Sequence, residues 1–182
     1  VSASLSIPSI AMCSLNWADI FRHYCSAFPG AEGIHQQIKQ AYAGADAFLR
    51  LTPGMPMSWL NNLLSMGPVA DVGMNRRQQI NELLNLKNKE KLVLVSMGGI
   101  ATRLPMDNWP QMPGIRWLVQ ADWQVKRQDV STIESLAMDF TDVLASCDAI
   151  LSKSGYGAFA EAACNGIPMI YVERNDWPEQ GD

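Results

Sequence analysis

Runs of apolar residues along this chain are short, and helix-like stretches separate them. "IPSIAMCSL" (7–15), entered through Pro8, predicts a short buried strand. Asn16 is placed to cap a helix over "WADIFRHYCSAF" (17–28), which Pro29 and Gly30 end. A second helix is expected over "GIHQQIKQAYAGA" (33–45), with Ile34, Ile38 and Tyr42 on one face. "DAFLRL" (46–51) predicts another strand, and a loop rich in Pro and Met, "TPGMPMSWL" (52–60), follows. "LLSMGPVADVGMNRRQ" (63–78) then gives a weak strand, a Gly-Pro break and a polar joint, so a boundary between domains is expected near 70–76.

The pattern restarts after this joint. A helix over "RRQQINELLNL" (76–86) leads through "KNKEK" to "LVLVSMGG" (92–99). Its continuous apolar run suits a strand covered on both faces of a parallel sheet. "IRWLVQ" (115–120) is a second strand. "FTDVLASC" (140–147) is a helix, "DAILS" (148–152) a strand, "GYGAFAEAACNG" (155–166) a helix closed by Gly166, and "IPMIYVE" (167–173) a strand. Strands alternating with helices predict a parallel α/β architecture. Ligands in such sheets sit beyond the carboxyl ends of strands, where two glycine turns fall, Gly98–Gly99 and Gly155–Gly157.

Composition narrows the function classes. The chain has 182 residues, 48% of them hydrophobic, which is enough for one sizeable core or two small ones. Its net charge of −4, with no basic cluster larger than the Arg76–Arg77 pair, argues against a broad nucleic-acid surface. No apolar run has the length of a membrane span, and no signal-peptide pattern opens the chain. Cys13, Cys25, Cys147 and Cys164 form no CxxC pair and no zinc spacing with His23 or His35, so buried reduced thiols in a cytoplasmic protein are expected. Both ends read as cut, which predicts a piece of a longer chain.

The chemistry concentrates in "SKSGYGAFAEAA" (152–163). Gly155, Gly157 and Ala160 fit GxGxxA, a dinucleotide fingerprint, and Glu173 ends the next strand where an acid would hold a ribose. That fingerprint normally belongs to the first βαβ unit of its domain, whereas two strands precede it here, so an NAD-type enzyme is the lesser reading. A nucleotide-sugar site accounts for more residues. Backbone donors from Ser154 to Gly157 at a helix start suit a diphosphate. Glu161, further along the helix, suits a ribose, and Glu179 and Gln180 suit a sugar. Against both stands a plain strand–helix turn with a solvated carboxylate.

The segment "DAILSKSGYGAFAEAACNGIPMIYVERNDWPEQ" resembles the donor-binding segment of GT-B glycosyltransferases. Within them it is most similar to the group containing the peptidoglycan N-acetylglucosaminyltransferase MurG and the glycosyltransferase-like domain of plant arabinokinases. "CSLNWADIFRHY", "AYAGADAFLRL" and "LVLVSMGGI" extend the second resemblance upstream. It implies two Rossmann-like parallel-sheet domains, both incomplete in this chain. Residues 1–72 would be the closing part of the acceptor-side domain and 73–182 the donor-binding domain, truncated at its end. It further implies a UDP-sugar donor whose diphosphate lies against Ser154, Gly155, Tyr156 and Gly157. Glu161 would hold the ribose, Glu179 and Gln180 the transferred sugar. Gly98 and Gly99 would bring backbone close to the donor across the cleft, and Lys153 and Arg174 are further contacts. Such enzymes typically transfer the sugar to an acceptor hydroxyl with inversion and need no metal and no cofactor beyond the donor.

The chain departs from that group in two ways. Nothing corresponds to the first half of the acceptor-side domain, which carries the acceptor loop and the general base, and "SMGGIATRLP" lacks a third glycine. His23 and His35 sit in helices and are poor candidates for a base, so the acceptor and the base stay unassigned. A module that binds a nucleotide sugar and relies on a partner is the alternative to a complete enzyme. Met55, Met57, Trp59 and Trp109 would form either an apolar lip for a lipid-linked acceptor or membrane surface, or packing of a loop on the core; packing is the expectation. Asp19 reads as a charge on a solvated helix face.

Overall fold

The computed structural model describes residues 7–87, 89–99 and 102–173. They fall into two compact units, 7–69 and 70–173. The first holds a three-stranded parallel sheet in the order β1-β2-β3, from β1 (Ile10–Cys13), β2 (Ala47–Arg50) and β3 (Leu63–Ser65). The helices α1 (Trp17–Cys25) and α2 (Ala31–Ala43) connect β1 to β2. Asn16 caps α1 as expected, its side chain accepting from the Asp19 N–H at 2.8 Å. Asp19 is not a free surface charge. Its carboxylate accepts from Asn16 Nδ2 at 2.8 Å and from the Trp59 indole at 3.3 Å, tying the loop after β2 to the start of α1.

Two further expectations fail in this unit. β1 is not buried, because it is an edge strand, and Ile10 and Met12 stay exposed. The inner stripe of α2 runs through Ala31, His35 and Tyr42 rather than Ile34, and Tyr42 meets Phe48 of β2 at 5.5 Å between rings. The expected packing of the Met-rich loop is found: Met55 and Met57 are buried, and Trp59 packs edge-on against Tyr42 at 6.2 Å. These side chains fill the space over the loop instead of facing a membrane. Among the described residues no helix is long and apolar enough to cross one.

The second unit holds five parallel strands in the order β6-β5-β4-β7-β8. These are β4 (Lys91–Ser96), β5 (Ile115–Val119), β6 (Val130–Thr132), β7 (Ala149–Lys153) and β8 (Met169–Val172). The helices are α3 (Arg77–Leu84), α4 (Phe140–Ala145) and α5 (Tyr156–Cys164). The apolar run of β4 explains its central place. Leu92 and Leu94 pack under the helices with Ile80, Leu118, Val143, Leu144 and Ile150. Val93 and Val95 face the other side, where Met106, Trp117 and Trp123 close the core without an α-helix. The loop there is pinned by Arg127, which donates to the Trp109 carbonyl at 2.8 Å and pairs with Asp129 at 2.6 Å. Trp109 stacks edge-on against Trp117 at 5.4 Å, so it too packs on the core. β6 escapes sequence reading because three residues, Val-Ser-Thr, show no period.

At the amino ends of β4 and β7, Asp148 accepts from Arg77 at 2.5 Å, Lys91 at 2.8 Å and the Leu92 N–H at 2.8 Å. Burial alone would raise this carboxyl, but those bonds outweigh it and hold it at about 2. A carboxyl depressed on folding stabilises the fold above its unfolded value near 4 and loses that contribution as pH falls toward 2. Asp148→Ala is therefore expected to cost about 2 kcal/mol at pH 7, less than a fully buried pair because Lys91 is largely exposed. In urea titrations the gap between variant and parent should narrow as pH falls below about 4 and close only below about 2; a gap independent of pH would assign the loss to packing. All four cysteines are free thiols. Only Cys147 is fully buried, and burial pushes its thiol up to about 12. The other three are half-buried, so the expectation of four buried thiols holds for one.

Candidate functional site at the carboxyl edge of the five-stranded sheet

The chain enters the second sheet at β4, moves outward to β5 and β6, then returns to the other side of β4 with β7 and β8. The order thus reverses between β4 and β7, and a crevice opens beyond the carboxyl ends at such a reversal. Ser96 and Ser152 are in register on these two strands. The two glycine turns, far apart in sequence, consequently leave the sheet side by side. Gly98 lies in the left-handed region at φ 61, and a Cβ built on it would sit 3.5 Å from Lys153 Cε. A larger residue at 98 would meet both the backbone strain and the lysine stem.

The start of α5 is built to stay open. Gly155 precedes it in extended conformation and supplies no side-chain cap. The amides of the first helical turn have no partner within the helix itself. Tyr156, Ala160 and Ala162 are buried, and Phe159 stacks edge-on against Tyr171 of β8 at 5.2 Å, so the helix is fixed on the sheet. Gly157 faces open space, with nothing within 4 Å of a Cβ placed there. Ser154 is buried; its N–H donates to the Val172 carbonyl at 3.1 Å, while its hydroxyl has no hydrogen-bond partner among the described residues.

Two charged side chains stand free at this edge. Among the described residues Lys153 and Glu161 make no ion pair, and both are half-buried. Glu161 lies five residues after Tyr156, about 7 Å along the helix axis. Its main-chain carbonyl accepts from the Asn165 N–H at 3.1 Å and from Asn165 Nδ2 at 2.8 Å, and its carboxylate makes no ion pair among the described residues. Beside the Gly98 turn a cavity of about 430 Å³ opens at the ends of β4 and β5, lined by Gly98, Gly99, Arg103, Gln120, Asp122 and Trp123. Sequence reading missed Arg103, Gln120 and Asp122. Their only signal is position, directly after the strands that the sheet order brings together.

The structure thus groups Gly98, Gly99, Lys153, Ser154, Gly155, Tyr156 and Gly157 at one edge, with Glu161 on the helix that leaves it. Arg174, Glu179 and Gln180 lie outside the described residues. Glu173 is exposed just beyond β8. The fingerprint loop follows β7, the fourth strand of its sheet in chain order. Of the two histidines, His23 is exposed, and His35 is buried with neither ring nitrogen hydrogen-bonded among the described residues.

Two Rossmann-like parallel sheets, the second with this switch point, make an α/β fold of the GT-B glycosyltransferase type. The glycosyltransferase SnogD from Streptomyces nogalater has a similar structure, with a TM-score of 0.52 at 15% identity over 97% of this chain and 51% of that one. L-arabinokinase of Arabidopsis thaliana is 22% identical over 185 aligned residues, which cover 98% of this chain and 17% of that protein. The chain therefore spans about half the length of the one and under a fifth of the other. No protein-family model matches it.

Proposed function

We propose that the carboxyl edge of the second sheet is the donor site of a glycosyltransferase, taking a UDP-linked sugar and transferring it with inversion to an acceptor hydroxyl. The observation that carries this reading is the meeting of the Gly98 turn, Lys153 and the uncapped start of α5 at the switch point. The first-turn amides and the helix dipole suit a diphosphate, and Lys153 adds a cation that makes no ion pair among the described residues. As the bond from the sugar to the diphosphate breaks, negative charge grows on the departing oxygen. Fixed amides and the ammonium group stabilise that charge without reorganising and without a metal. Glu161, free and further along the helix, accepts hydrogen bonds from the two ribose hydroxyls. The cavity beside Gly98 gives room for the part of the donor that extends past β4. In this reading Glu179 and Gln180 hold the transferred sugar, and Arg174 adds a second cation to the departing diphosphate.

Glu161→Ala tests it. UDP binding, read by calorimetry, should weaken by about 1–3 kcal/mol, while the unfolding midpoint stays close to that of the parent because the carboxylate makes no ion pair among the described residues. UDP-N-acetylglucosamine should show the same loss. NAD binding that depends on Glu173 instead would replace the reading with a dinucleotide site, and a large drop in stability would make Glu161 a structural residue.

A further inference from the structure

The opposite, amino-terminal edge of the same sheet carries a second polar cavity that the proposed donor site does not use. It measures about 520 Å³ and is lined by Lys87, Lys89, Glu90, Met112, Arg116 and Asp129 among others. Arg116 is anomalous. It is the second residue of β5, on the face shared with Leu92 and Leu118, where a parallel strand covered by helices calls for an apolar side chain. Its Nε is buried and has no hydrogen-bond partner among the described residues. A buried guanidinium nitrogen without an acceptor is costly to keep.

The acids nearby do not supply that acceptor. Asp129 is engaged by Arg127 through two bonds of 2.9 and 2.6 Å. Glu90 accepts from the Lys87 N–H at 2.6 Å, and Asp148 is taken by Arg77 and Lys91. Among the described residues Lys87, Lys89 and Arg116 therefore make no direct ion pair, although the Arg116 charge helps to lower the Asp129 carboxyl. Lys89 is moreover held at φ 75, a left-handed conformation uncommon for a residue with a side chain.

We infer that this cavity is a binding site for a small phosphate-bearing anion, with Arg116 as its anchor. A guanidinium presents parallel N–H donors that match two phosphate oxygens, and the two lysines add charge without geometric demand. Met112 and Pro113 give the wall an apolar part, which suits a phosphate monoester as well as the free ion. The site lies at the end of the sheet away from the glycine turns, so it is separate from the donor reading.

The test is calorimetric titration of the whole chain with inorganic phosphate and with phenyl phosphate, at ionic strength held constant with potassium chloride. Saturable binding is expected, weakened about tenfold or more in both Arg116→Leu and Lys89→Gln, while UDP affinity is unchanged in each. Arg116 is half-buried at the strand start, and Lys89 lies on an exposed loop, so at least one variant remains folded for the comparison. Phenyl phosphate binding more tightly than the free ion would identify an organic phosphate as the ligand; equal binding would identify the phosphoryl group alone. Absence of saturable binding, or binding unaffected by both substitutions, overturns the inference.

Discussion

Gly73→Ala is expected to destabilise the chain by about 3 kcal/mol, toward the upper end for overpacking, without touching the donor site. A Cβ on Gly73 would overlap the Thr141 carbonyl oxygen and stand 2.7 Å from the Asp142 nitrogen, both backbone atoms of α4. Backbone in a helix cannot rotate aside as a side-chain tip can, so the strap around Gly73 must move. That strap is tied down on both sides. The Gly73 N–H donates to Asn165 Oδ1 at 2.9 Å, the Met74 N–H to Asp142 at 2.8 Å and the Arg76 N–H to Ser146 Oγ at 2.7 Å. Asn165 Nδ2 returns a bond of 3.0 Å to the Asp71 carbonyl. Any shift that relieves the clash breaks some of these. For a unit of about 100 residues the loss corresponds to a fall of roughly 12–24 °C in the calorimetric midpoint. A fall of only a few degrees would mean that the strap peels away while the core of the unit stays intact.

That strap also shows where sequence reading stops. "VADVGMN" reads as a polar joint because its residues are small, polar or flexible, and a tether has the same composition. What separates them is the set of partners on α4 and α5, far along the chain. The site divides in the same way. β4 was legible because a strand covered on both faces must be apolar throughout, and the turns at Gly98 and Gly155 were legible because glycine marks a backbone that has to bend or stay bare. Their adjacency was not legible. It depends on β7 returning to pair with β4 instead of continuing past β6, and parallel pairing leaves no local signature. Arg103, Gln120 and Asp122 were hidden for the same reason. The Met- and Trp-rich loops show the limit of composition. Met55, Met57 and Trp109 suit a surface lip and a packed core alike, and only the sheet faces they cover decide between them.

Gly157→Leu should give effects of opposite sign on stability and on binding. Glycine inside a helix is unfavourable, and a Cβ at 157 meets nothing within 4 Å, so leucine should stabilise α5 by about 0.5 kcal/mol. Helical Cβ atoms tilt toward the N-terminus, which leans the new side chain over the first-turn amides. In the donor reading these amides hold the diphosphate, and a branched apolar group there excludes it. UDP affinity should then fall about 100-fold, which is about 2.7 kcal/mol. A side chain that merely disturbed the fold would lower stability and binding together, so paired denaturation and titration separate the two cases. If the variant is as stable as the parent and binds UDP within about twofold of it, the diphosphate does not lie at the start of α5, and the opening there serves only to turn β7 into its helix.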